Sequence, residues 1–66
     1  MEITVNSMKQ EVPEKASISE LIDYCEERDV HLVVEFNGSF VYPKQYETIR
    51  VSEGDTLEFI HPDFGG

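Results

Sequence analysis

The sequence predicts an α+β domain, one main helix packed across a twisted mixed sheet of four or five strands, in the order strand, strand, helix, strand, strand, strand. Three observations predict it. Short runs at the start, middle and end alternate apolar and polar residues with period two, the signature of strands with one buried face. Between the first and second of these regions, Ser17 is followed three residues later by Glu20, the capping-box pattern of a helix start. Asn37-Gly38 separates two extended runs, and both residues tolerate the positive φ that a two-residue hairpin turn demands.

Taken in order, Met1 to Asn6 places Ile3 and Val5 on one face of a first strand and Glu2 and Thr4 on the other. Asn6-Ser7 offers turn chemistry, and the following "KQEV" is a short polar second strand that Pro13 interrupts. In the helix, Ile18, Leu21, Ile22 and Cys25 fall at i, i+3, i+4 and i+7, one apolar stripe facing the core. Glu20, Asp23, Glu26, Glu27, Arg28 and Asp29 form its solvent face, and the pattern predicts an end near Asp29, although no glycine marks the stop. "HLVVEF" is the third strand, with Leu32, Val34 and Phe36 on one face, and the apolar Val33 opposite points to an interior position. "SFVY" pairs with it, Pro43 to Tyr46 is a turn or short helical piece, and Gly54 in "SEGD" supplies the turn before "TLEFI". Phe36, Leu57 and Phe59 belong to the core.

Sixty-six residues make one domain at most. Such a small domain buries only about 60% of its unfolded surface and has little mass to wall a deep pocket, which disfavours a self-sufficient enzyme. Fourteen acidic against five basic residues give a net charge of −9, so nucleic acid is a poor partner and basic protein surfaces are better ones. One cysteine, no signal-peptide pattern and no long apolar run read as a soluble cytoplasmic protein, monomeric on its own and away from membranes. Cys25, on the apolar stripe, is expected to be buried and structural. His31 and His61 stand far apart in sequence with no metal-ligand spacing, so neither a metal nor a bound cofactor is expected.

The chemistry lies in "HPDFGG". A frayed end would also tolerate small residues. The functional alternative is access: glycine has no Cβ to obstruct a narrow channel, and Pro62 fixes its own φ and biases His61 toward extended geometry. Residues 62–66 are therefore expected to be a flexible tail of the single domain 1–66. Its ionised carboxylate could attack the α-phosphate of ATP to give an acyl-adenylate open to a nucleophile.

The element order resembles the β-grasp fold of ubiquitin, in which the last strand lies centrally beside the first. "EITVNS", "SISELI", "VEFNG" with "YPKQY", "VSEGDTLEFI" and the closing Gly65-Gly66 together resemble the ThiS-type sulfur carriers of thiamine biosynthesis over nearly the whole chain. The resemblance implies a protein that is not an enzyme but a co-substrate. Its Gly66 carboxylate is adenylated by a ThiF-like enzyme that uses ATP, converted to a thiocarboxylate with sulfur relayed from a cysteine desulfurase, and discharged to thiazole synthase, ThiG. Within that role Gly66 is the reactive terminus, Gly65 the clearance before it, and Phe64 and Asp63 tail residues read by partners. The chain departs from the family's pattern at Tyr42, which stands between Val41 and Pro43, and at Phe64, where smaller residues are commoner. MoaD-type and other-pathway sulfur carriers, a lysine-conjugated modifier and a non-catalytic β-grasp interaction module remain alternatives at this point.

Overall fold

The computed structural model describes residues 1–62. Its elements are β1 (Glu2–Val5), β2 (Met8–Glu11), α1 (Ile18–Tyr24), β3 (Val33–Phe36), β4 (Ser39–Val41), a 3₁₀ turn (Pro43–Gln45) and β5 (Thr56–Ile60). The five strands form one mixed sheet in the order β2-β1-β5-β3-β4. β5 lies in the middle, parallel to β1 and antiparallel to β3. This is the β-grasp architecture that the order of elements predicts.

Both tight hairpins follow from residues that accept positive φ. Asn6 and Ser7 (φ 50° and 70°) bring Met8 opposite Val5, and Asn37 and Gly38 (φ 50° and 85°) bring Ser39 opposite Phe36. Gly54, at φ 85°, makes the turn into β5, and the Asp55 carboxylate closes it by accepting from the Ser52 N–H at 2.7 Å. The parallel β1–β5 pairing is brief, and side chains complete what the backbone leaves open. Asn6 Oδ1 extends that pairing by accepting from the Phe59 N–H at 2.8 Å, and on the β3 side of β5 Asn37 Oδ1 accepts from the Thr56 N–H at 2.8 Å.

The helix starts as its capping box dictates. Ser17 Oγ accepts from the Glu20 N–H at 3.0 Å, and the Glu20 carboxylate accepts from the Ser17 N–H at 2.8 Å. The remaining first-turn donors are met by the crossover segment, with Ile18 N–H on the Ile49 carbonyl and Ser19 N–H on the Tyr46 carbonyl. The end corrects the sequence reading: α1 stops at Tyr24 rather than near Asp29, with Cys25 as its C-cap. The stop is a Schellman motif closed by a glutamate. Glu26 adopts φ 58°, its N–H donates to the Asp23 carbonyl, and the Glu27 N–H donates to the Ile22 carbonyl. Glu26, Glu27, Arg28 and Asp29 therefore lie on the α1–β3 loop and not on a helix face.

The core sits between α1 and one face of the sheet. Ile3, Ile18, Leu21, Val34 and Leu57 are its most completely enclosed side chains, and Phe59 joins them. Phe36 is half-buried and packs against the cluster. Cys25 is half-buried rather than buried, because the helix ends there and the stripe turns away from the sheet. Among the described residues no helix is long and apolar enough to cross a membrane.

Candidate functional site

The residues assigned to the tail, Asp63, Phe64, Gly65 and Gly66, lie outside the described residues, as does all of the expected 62–66 segment except Pro62. What the structure describes is the place from which that segment departs. β5 is paired with β3 as far as Ile60, which stands opposite Val33. The chain thus leaves from the end of the central strand with β3 beside it, the β1 pairing having stopped at Leu57.

The first residue beyond that pairing is held in its own right. His61 Nε2 lies 2.7 Å from Glu27 Oε1, and its Nδ1 lies 3.3 Å from Asp29 Oδ2. Asp29 is itself fixed, because its other oxygen accepts from the His31 backbone N–H at 2.8 Å. That hydrogen bond first, and then the bond from His61, hold the Asp29 carboxyl below the usual carboxylate range. Two histidines that stand far apart in sequence thus meet on one aspartate, His31 through its backbone and His61 through its ring. Glu27 owes its position to the Schellman turn at the helix end.

Beside this root, the sheet face that looks away from α1 carries an apolar patch. Val33 and Ile60 pair across β3 and β5, and Phe40 on β4 stands in the next row opposite Glu35. Phe40 and Tyr42 are both about half exposed, at 51% and 57%, and their rings meet edge to face at 4.8 Å. Glu35 and Glu58 stand directly opposite each other on the same face, two like charges that give the patch an acidic side. The sequence reading did not assign Phe40 or Tyr42. The signal was available in "FVY", where aromatics flank an inward-facing Val41 on a strand whose other face is already core.

The remaining chemistry-bearing groups are quiet. Cys25 lines an open groove of about 490 Å³ with Met8, Gln10 and Tyr24, and its Sγ accepts from Gln10 Nε2 at 3.7 Å. Partial burial pushes its thiol pKa up, which keeps it protonated and a weak nucleophile near neutral pH. Arg50 bridges to Glu20 at 3.4 Å and to the Lys15 carbonyl at 2.8 Å, tying the crossover segment to the helix start. Neither arrangement resembles an acid–base or nucleophilic constellation.

Comparison with known proteins places these features. No curated protein matches the chain. Among solved structures, the crystal structure of a thiamine biosynthesis protein (ThiS) from Geobacter metallireducens is similar with a TM-score of 0.89 at 28% identity, over 100% of both chains. An NMR solution structure of a thiamine biosynthesis protein from the same organism is similar with a TM-score of 0.84 at 28% identity, over 100% of this chain and 88% of the other. The sequence model of the ThiS family matches residues 1–66. The chain belongs to the ThiS family.

Proposed function

We propose that this protein is a sulfur carrier for thiamine biosynthesis, with the Gly66 carboxylate as the group that carries the sulfur. The observation that carries the reading is the family match across residues 1–66, reinforced by a backbone that superposes over the whole of a ThiS chain. In this reading the protein is a co-substrate and not a catalyst. The terminal carboxylate oxygen attacks the α-phosphorus of ATP held by a ThiF-like enzyme, and pyrophosphate leaves. The outer sulfur of a persulfide charged by a cysteine desulfurase then attacks the carbonyl carbon and AMP leaves. A thiol attacks the persulfide-derived sulfur of the resulting acyl disulfide, forming a new disulfide and releasing the thiocarboxylate. That sulfur is donated to thiazole synthase, ThiG, for thiazole formation.

The partner-facing surface in this reading is the open sheet face beside His61. Phe40, Tyr42, Val33 and Ile60 offer a partly exposed apolar centre, Glu35 and Glu58 an acidic border, and the net charge of −9 favours a basic enzyme surface. Gly65 gives clearance in the enzyme's channel, and Phe64 and Asp63 are read along it. ATP-dependent pyrophosphate exchange by a ThiF-like enzyme tests the reading. The full chain supports exchange and a chain lacking Gly66 does not; equal exchange by both overturns the assignment of Gly66.

A further inference from the structure

The ring of His61 is placed as a strut between the α1–β3 loop and the end of the central strand. Neutral imidazole has one N–H donor, yet both of its nitrogens face carboxylates, Glu27 at 2.7 Å and Asp29 at 3.3 Å. Whichever nitrogen carries the proton, the ring donates to one of the two carboxylates and so ties the strand end to the loop. The acceptors are preset. Glu27 is carried by the helix-ending turn and Asp29 by its bond to the His31 N–H, while the Arg28 guanidinium folds to the Glu27 carbonyl at 3.4 Å. Cys25, at the helix cap, is also within electrostatic reach of Glu27, and the His31 side chain acts electrostatically on Asp29.

From this geometry we infer that His61 is a positioning residue for the chemistry at Gly66. Sheet pairing ends at Ile60, so without the strut the chain would begin to wander at His61. With it, the fixed backbone extends to Pro62, whose ring restricts the next torsion. From there Asp63 to Gly66 reach at most about 14 Å. Over so short a reach, the starting point and direction govern how often the terminus meets a reactive phosphorus. Releasing the strut frees the backbone of one residue, His61, which corresponds to about a fivefold to thirtyfold loss in productive encounters. The sheet face that docks is untouched, so the loss falls on kcat and not on KM.

The inference rests on the carrier reading, and the experiment separates the two. Pyrophosphate exchange by a ThiF-like enzyme is measured against carrier concentration for the wild-type chain, His61→Ala, His61→Arg and Glu27→Gln/Asp29→Asn. The expected result is kcat lower by about fivefold to thirtyfold in His61→Ala and in the double variant, with KM within about twofold. Arginine, whose guanidinium can donate to both carboxylates, restores most of kcat. Backbone order parameters at residue 61 are recorded alongside, and they report the loss of order on substitution. Exchange by His61→Ala equal to that of wild type, or a His61 as mobile in wild type as in the variant, overturns the inference and leaves the carrier reading standing. No exchange with the wild-type chain overturns the carrier reading, and the positioning role falls with it.

Discussion

Replacing Glu26 by glycine should make this protein more stable, and the reason is local to the helix end. Glu26 closes the Schellman motif at φ 58°, a conformation in which its Cβ crowds the backbone. A non-glycine residue held there stores about 1–2 kcal/mol. Glycine removes that strain but has more freedom to lose on folding, a cost of about 0.5–1 kcal/mol. The balance is a gain of about 0.5–1 kcal/mol, or a Tm higher by about 2–8 °C in a domain of this size. Removing one negative charge from a chain of net charge −9 also helps slightly, so Glu26→Ala is the control. Alanine removes the charge and keeps the Cβ. Thermal and urea unfolding followed by far-UV circular dichroism should rank glycine above alanine, with an unchanged urea slope. If alanine stabilises as much as glycine, charge and not backbone strain is responsible, and a glycine variant no more stable than wild type refutes the strain argument outright.

Other perturbations follow from the same structure. Ser17→Ala removes one arm of the capping box and should cost about 1 kcal/mol, measured as a lower urea midpoint; an unchanged midpoint would show that the crossover segment alone holds the helix start. Glu20 and Asp29 both have folded pKa values below their ordinary 4.5 and 3.8, chiefly through the backbone N–H groups of Ser17 and His31. Because these values are depressed, their contribution is present above the ordinary range and is lost as pH falls through the folded pKa. A Tm that declines below pH ~4.5 in wild type, and less steeply in Glu20→Gln/Asp29→Asn, is the expected profile; parallel curves would contradict it. Phe40→Ala and Tyr42→Ala should raise the KM for a ThiF-like enzyme by at least about fivefold at little change in kcat, and an unaltered KM would remove the open sheet face as the docking surface. Cys25 should react with iodoacetamide more slowly than a cysteine in an unstructured peptide at pH 8, as read by intact-mass spectrometry, and faster alkylation would contradict its raised pKa.

What the sequence disclosed was mostly what neighbours in sequence decide. Ser17 with Glu20, Asn6 with Ser7 and Asn37 with Gly38 each carry their structural consequence within a few residues, and all three behave as their chemistry dictates. Strand faces were legible for the same reason, since Ile3, Val5, Leu57 and Phe59 alternate with polar partners. The helix end was not, because the usual marker of a Schellman turn is glycine and here a glutamate takes the left-handed position. Of the acids counted onto a helix face, Glu20 and Asp23 lie on α1 while Glu26, Glu27 and Asp29 belong to a loop, and Glu27 is engaged by His61. A charge reversal at Glu27 would thus break the strut as well as alter the surface. His61, Glu27 and Asp29 meet only because β5 ends beside the α1–β3 loop, a juxtaposition that no local pattern encodes. Likewise, Phe40 and Tyr42 join Val33 and Ile60 through strand register, which fixes the neighbours of an aromatic that composition alone leaves unassigned. Asp63 to Gly66 lie outside the described residues, and the role proposed for them rests on the chemistry open to a terminal carboxylate and on the family to which the chain belongs.

The central claim is that Gly66 carries sulfur, and its most direct test is high-resolution mass spectrometry of the C-terminal peptide after incubation with a ThiF-like enzyme, ATP and a sulfur source. Exchange of one oxygen for sulfur resembles an oxidation in nominal mass, and Met1, Met8 and Cys25 can all oxidise, so fragmentation must place the gain. The account predicts a mass gain on Gly66 that requires ATP and is absent from a chain lacking that residue. A C-terminal peptide that stays unmodified with an activator that loads other ThiS proteins, or a gain confined to Met1, Met8 or Cys25, would contradict it.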